Sequence, residues 1–111
     1  MAYYDITPIQ LGQAAITGTI ATLYTAPTGV RTFVKDLNIC NTTAGAVTVN
    51  VHLVPSGGSA TTANAILYGY SIAANATYRW TGVQIMNEAG TIQVKGSTTG
   101  LTITASGAEA V

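Results

Sequence analysis

Apolar positions along this chain recur with a period of two. The clearest stretch runs from residue 30 to 58, where Val47, Val49, Val51 and Leu53 alternate with Thr48, Asn50, His52 and Val54. Successive side chains of an extended chain point to opposite faces, so this spacing lines one face of a half-buried strand with an apolar row. Upstream, Phe33, Leu37 and Ile39 form a similar row against Val34, Asp36, Asn38 and Cys40, and Lys35 breaks it. That pattern predicts a long strand with a bulge near its middle. Between the two rows, Asn41-Thr42-Thr43-Ala44-Gly45 has the length and composition of a hairpin loop, which predicts that the flanking strands pair with each other. A two-stranded ribbon is not stable alone in water, so the rest of the chain must cover its apolar face.

Runs of β-branched and aromatic residues, some of them alternating, punctuated by Gly, Pro, Asn and Ser, give the remaining elements. Two short strands are expected at about Ile9 to Thr17 and Ile20 to Thr25, with Ala26-Pro27-Thr28-Gly29 as the turn that follows. Pro55-Ser56-Gly57-Gly58-Ser59 ends the second central strand, and residues 60–65 suit a loop or one helical turn. Further strands are expected over Ile66 to Ile72, with Gly69 as a bulge or close-contact point, and over Thr77 to Ile85, Thr91 to Lys95 and Leu101 to Ala105. The tail from Ser106 to Val111 is small and expected to be exposed. No segment shows a 3.6-residue period over ten or more positions. The expectation is a single-domain, all-β sandwich of about eight short antiparallel strands, jelly-roll or immunoglobulin-like, spanning residues 9–111. Residues 1–8, with Tyr3, Tyr4 and Pro8, are expected to form an extended arm that docks on a neighbour.

Composition sharpens this picture mainly through charge. Of 111 residues, 48% are hydrophobic, but no run approaches the roughly 20 that a membrane span needs, so neither a membrane partner nor a spanning helix is expected. The first ten residues lack the basic and apolar regions of a secretory signal. Only 7% of residues are charged, with four positive and four negative, against about 25% in an ordinary globular protein. A surface this poor in charge favours association, so much of it is expected to be buried against copies of the chain or a larger assembly. Arg31, Lys35, Arg79 and Lys95 are scattered, which disfavours nucleic acid as a partner.

Candidate chemistry is sparse. One cysteine, Cys40, excludes an intrachain disulfide, and with one histidine, His52, it cannot make a zinc site. On the hairpin reading His52 lies opposite Val34, six positions and about 20 Å along the strand from Cys40, too far for a nucleophilic dyad. The acids Asp5, Asp36, Glu88 and Glu109 are expected as solvated surface groups rather than a catalytic pair. The glycine-rich turn at 55–59 lacks the lysine and helix of a phosphate loop. No enzyme activity and no cofactor are expected. One aromatic concentration stands out: Tyr68 and Tyr70 should share one face of their strand, and Tyr78 and Trp80 one face of theirs, so the pairs can meet across a sheet. Together with Tyr3 and Tyr4, these are the candidate interface residues.

Several stretches also carry a resemblance: ATLYTAPTG (21–29), CNTTAGAVTVNVHLVPSGGS (40–59), SIAANATY (71–78), GTIQVKG (90–96) and LTITASG (101–107). Over residues 9–107 the chain resembles small β-sandwich structural proteins of tailed bacteriophages. It departs from their pattern at Asn87-Glu88-Ala89-Gly90-Thr91, where an acidic residue is expected after the glycine. The resemblance implies a non-enzymatic virion component assembled in the host cytoplasm. Its first form is a capsid decoration or cement protein, a homo-oligomer expected as a trimer, partnered with the major capsid protein. Its alternative is a tail- or fibre-associated module binding host-surface glycans through the aromatic surface, Trp80 above all.

Overall fold

The structure, a computed structural model, describes residues 5–111. Eight strands appear in chain order: β1 (Ile6–Ile16), β2 (Ala21–Thr25), β3 (Arg31–Asn41), β4 (Val47–Val54), β5 (Ala65–Ile72), β6 (Thr77–Met86), β7 (Thr91–Gly96) and β8 (Leu101–Ala110). A single 3-10 turn, Thr62–Asn64, precedes β5. They form two antiparallel four-stranded sheets, the first in the order β1-β8-β3-β6 and the second in the order β2-β7-β4-β5. Every consecutive pair except β4 and β5 crosses between sheets. This is the doubly wound Greek-key arrangement of a jelly roll, which resolves the choice left open by strand spacing.

The expected hairpin between β3 and β4 does not form. β3 pairs with β8 and β6 of the first sheet, and β4 pairs with β5 and β7 of the second. The loop between them is a corner, and Asn41 builds it. Its side chain, 1% exposed, donates from Nδ2 to the carbonyls of Gly45 and Ile72, both at 2.9 Å. Its Oδ1 accepts from Thr43 N at 2.9 Å and Thr43 Oγ1 at 2.7 Å. A buried amide with donors and acceptor all engaged holds the loop to the end of β5, so the turn chemistry at 41–45 redirects the chain to the other sheet instead of reversing it.

Between the sheets, Val34, Leu37 and Ile39 of β3 and Leu101, Ile103 and Ala105 of β8 meet Val47, Val49 and Val51 of β4 and Ile92 and Val94 of β7. The bulge expected near Lys35 is present: pairing slips between Val34 and Asp36 against both neighbouring strands, and between Gln10 and Gly12 of β1 at the same level of the sheet. The extra residue inverts the alternation. Val34 therefore enters the core, fully buried, and Phe33 turns to the outer face instead of joining Leu37 and Ile39.

At its start, β1 takes in Ile6, Thr7 and Pro8, which pair with Ala110, Glu109 and Ala108. These three residues, expected in the arm, belong to the first sheet; Pro8 sits on an edge strand, where a missing N–H is tolerated. Tyr3 and Tyr4 lie outside the described residues. The tail expected to be exposed is the end of β8, with Ala108 and Ala110 buried.

Candidate interaction surface

The aromatic residues singled out in the sequence divide between two places. Tyr78 and Trp80 lie opposite Ile39 and Leu37, both fully buried, so the two share the inner face of β6 and pack half-buried against the core. Tyr70 lies opposite Val49 of the core, and its ring sits 4.3 Å from that of Tyr78 at an interplanar angle of 41°. β5 and β6 are edge strands of opposite sheets, so this stack closes the sandwich where the sheets part. Tyr70 and Tyr78 thus meet across the gap between sheets rather than across one sheet.

Tyr68 does not accompany Tyr70. Gly69, with φ of +62°, is a bulge, and its N–H donates to Asn50 Oδ1 at 2.7 Å. The extra residue breaks the alternation and sends Tyr68 to the other side, where its ring meets the His52 ring edge-on at 6.5 Å. Tyr68 is 63% exposed.

His52 and Cys40 stand on strands of different sheets, so no dyad forms. His52 is 4% exposed, although it lies on the outer face, because the loop before β5 folds over it. Among the described residues, no three of His, Cys, Asp and Glu gather as a metal site. Three acids expected in solvent are instead engaged, Glu88 through its Oε2, which accepts from Gly29 N at 3.2 Å, and Asp36 and Glu109 through side chains. Asp36 Oδ2 accepts from Arg79 Nη2 at 2.6 Å and Nε at 3.0 Å. The Tyr24 hydroxyl donates to Glu109 Oε2 at 2.6 Å, and its oxygen lies 2.7 Å from Thr32 Oγ1. Burial, chiefly, and the Glu109 hydrogen bond push the Tyr24 phenol up to about 12, while the Thr32 hydroxyl works the other way.

The surface that sequence reasoning missed is the outer face of the first sheet. Ile85 lies opposite Phe33, Phe33 opposite Ala108, and Ala108 opposite Pro8, so one apolar row crosses all four strands. In and beside it, Ile6, Val83, Ile85 and Val111 are exposed at 57, 58, 57 and 48%. The signal that marks it is one of phase. Phe33 belongs outside only if Lys35 is the extra residue, and the odd-numbered Val83 and Ile85 are out of step with the even-numbered Tyr78 and Trp80, which face inward.

No protein-family model matches this sequence, and no curated protein matches it. Solved structures do share the fold. A chain from the structure of infectious bursal disease virus, Gx strain, superposes with a TM-score of 0.56 at 14% identity over 96% of this chain and 32% of that one. The VP2 subviral particle of the same virus gives 0.54 at 12% identity, with the same shares. A chain from Bacillus endospore appendages, described as disulfide-linked pili, gives 0.53 at 13% identity over 100% of this chain and 94% of that one. This chain thus spans about a third of the length of the viral chains and nearly all of the Bacillus one. At such identities the likeness is one of fold: a jelly roll shared with proteins of viral particles and of a spore pilus.

Proposed function

We propose that this chain is a non-enzymatic structural protein of a tailed-bacteriophage virion, a capsid decoration or cement protein that self-associates and binds the capsid surface. The observation that carries the reading is the apolar outer face of the first sheet. A row from Pro8 to Ile85, with Ile6, Val83 and Val111 about half exposed beside it, is costly to leave in water on a chain with 7% charged residues. Such a face is explained by a protein partner. The resemblance to phage sandwich proteins favours a trimer of this chain against the major capsid protein, and the jelly roll held in common with viral-particle proteins supports a shell component.

Two other readings fare less well. In a disulfide-linked polymer each subunit needs bonds to at least two neighbours, and one cysteine per chain allows a disulfide-linked dimer at most. A fibre module that grips glycans through Trp80 meets the difficulty that Trp80 faces inward, against the core.

Cosedimentation with shells that lack this protein, assembled from the major capsid protein of the same phage, tests the proposal. The chain is expected to pellet with the shells at a fixed ratio, and removal of Met1 to Tyr4 is expected to weaken attachment while leaving the melting temperature unchanged. A chain that stays in the supernatant at every shell concentration contradicts the role in decoration. Full attachment without Met1 to Tyr4 contradicts the role of the arm alone.

A further inference from the structure

The outer face of the second sheet carries a hollow of about 660 Å³ that the proposed role does not use. Its floor is Asn50 and His52 of β4 with Gln93 and Lys95 of β7. Asn50 lies opposite Lys95 and His52 opposite Gln93, alternating with Val49, Val51, Ile92 and Val94 of the core, so these four share the outward face. One wall is the connection from β1 to β2 at Thr19 and Ile20; the other is the loop before β5 together with Tyr68. The volume falls within the range of small-molecule sites.

Hydrogen bonds hold the walls in place. His52 Nδ1 lies 2.9 Å from Thr61 O and 3.0 Å from Asn64 Oδ1. Asn64 is oriented by its Nδ2, which donates to Ser59 O at 2.9 Å, while its Oδ1 also accepts from Thr61 N at 3.1 Å. Both partners of Nδ1 are acceptors, so Nδ1 carries the proton, and in the neutral ring Nε2 is an acceptor. Asn50 Oδ1 is occupied by Gly69 N, the contact that fixes the bulge behind Tyr68. That leaves the two amide hydrogens of Asn50 as donors. Gln93 Nε2 donates to Thr91 Oγ1 at 3.0 Å, which leaves its Oε1 as an acceptor. Donors therefore stand at one end of the floor, on Asn50 and Lys95, and acceptors at the other, on His52 and Gln93, with threonine and serine hydroxyls around them.

This mixture selects a ligand class. A phosphate asks for several cations or convergent N–H groups, and an apolar ligand asks for apolar walls. Hydroxyl groups, which donate and accept at once, match a floor that offers donors at one end and acceptors at the other. The exposed Tyr68 ring adds a flat apolar surface for the C–H face of a pyranose. Lys95 is the one charged side chain that lines the hollow, no Asp or Glu lines it, and Lys95 makes no ion pair among the described residues. We infer that the hollow binds a saccharide carrying a carboxylate, such as a uronic or sialic acid unit of a polysaccharide. This site stands on residues remote from the apolar face of the first sheet, so it holds or fails independently of shell attachment.

Titration of the 15N-labelled protein with trigalacturonic acid and with 3′-sialyllactose, beside their neutral counterparts maltotriose and lactose, tests the inference and separates the two acidic sources. At least one acidic saccharide is expected to shift the side-chain amides of Asn50 and Gln93, with binding that weakens as salt rises. Tyr68→Ala is expected to weaken it about tenfold. Lys95→Met is expected to reduce the acidic ligand to the affinity of its neutral counterpart; it changes an exposed side chain, so it remains informative should Tyr68→Ala disturb the fold. Absence of shifts at these amides with either acidic saccharide up to about 10 mM, a weak limit for a specific site, overturns the inference. So does binding that neither variant changes, or equal binding of acidic and neutral ligands.

Discussion

Gly107 shows how narrowly single residues are specified here. It sits where the bulge of β3 brings the Phe33 carbonyl against β8, and a Cβ at this position would overlap the Phe33 oxygen and come within 3.3 Å of Leu11 Cδ1. Backbone cannot move aside as a flexible side chain can. Gly107→Ala should therefore cost about 3 kcal/mol in denaturant unfolding, at the upper end of overpacking effects; a loss below about 0.5 kcal/mol, typical of exposed sites, would show that the bulge is not packed as described. Tyr24 carries a second residue-scale consequence. Its hydroxyl ties β2 of one sheet to Thr32 and Glu109 of the other, and its pKa of about 12 lies above the ordinary 10.0. The folded state thus holds the phenolic proton more tightly than the unfolded chain does. The stabilisation is complete below pH 10 and is lost as pH rises from about 10 to about 12. With allowance for solvent screening at a partly exposed group, the loss is of the order of 1 kcal/mol. Tyr24→Phe should remove that part of the alkaline decline, measured as unfolding free energy against pH.

Among the elements, each strand is legible from alternation or from a run of β-branched and aromatic residues, because each lays one face on the core. Its partner is not. Alternation reports that a face is covered and carries no information on which strand lies alongside, so the loop at 41–45 looked like a hairpin until Asn41, anchored to the end of β5, placed β4 in the other sheet. The sequence predicts bulges near Lys35 and at Gly69, but their consequences depend on the neighbouring register. Simple alternation therefore puts Phe33 and Tyr68 on the wrong faces and keeps Tyr78 and Trp80, with no bulge between them, on one face as observed. The apolar row was hidden for the same reason. At this scale the prediction concerns β6, an edge strand of ten residues that contains no Pro and whose one charged side chain, Arg79, is tied to Asp36. Changing Val83 and Ile85 together to Lys should raise the dissociation constant for self-association at least tenfold, since both are exposed and apolar on an open edge. Unfolding free energy should stay within about 0.5 kcal/mol. Unchanged association would move the contact to another face.

For the molecule as a whole, the two sheets have opposite characters. The first presents an apolar outer row and an open edge at β6; the second presents a polar hollow fenced by a pinned loop. A subunit that buries its first sheet against copies of itself keeps the second sheet free, so assembly and ligand capture need not compete. Sedimentation equilibrium of the purified chain tests whether the apolar face is an interface between subunits. A trimer built on that face gives a species of three times the 11.3 kDa chain mass that persists on dilution to micromolar concentration. An 11.3 kDa monomer at every concentration up to the solubility limit would contradict it.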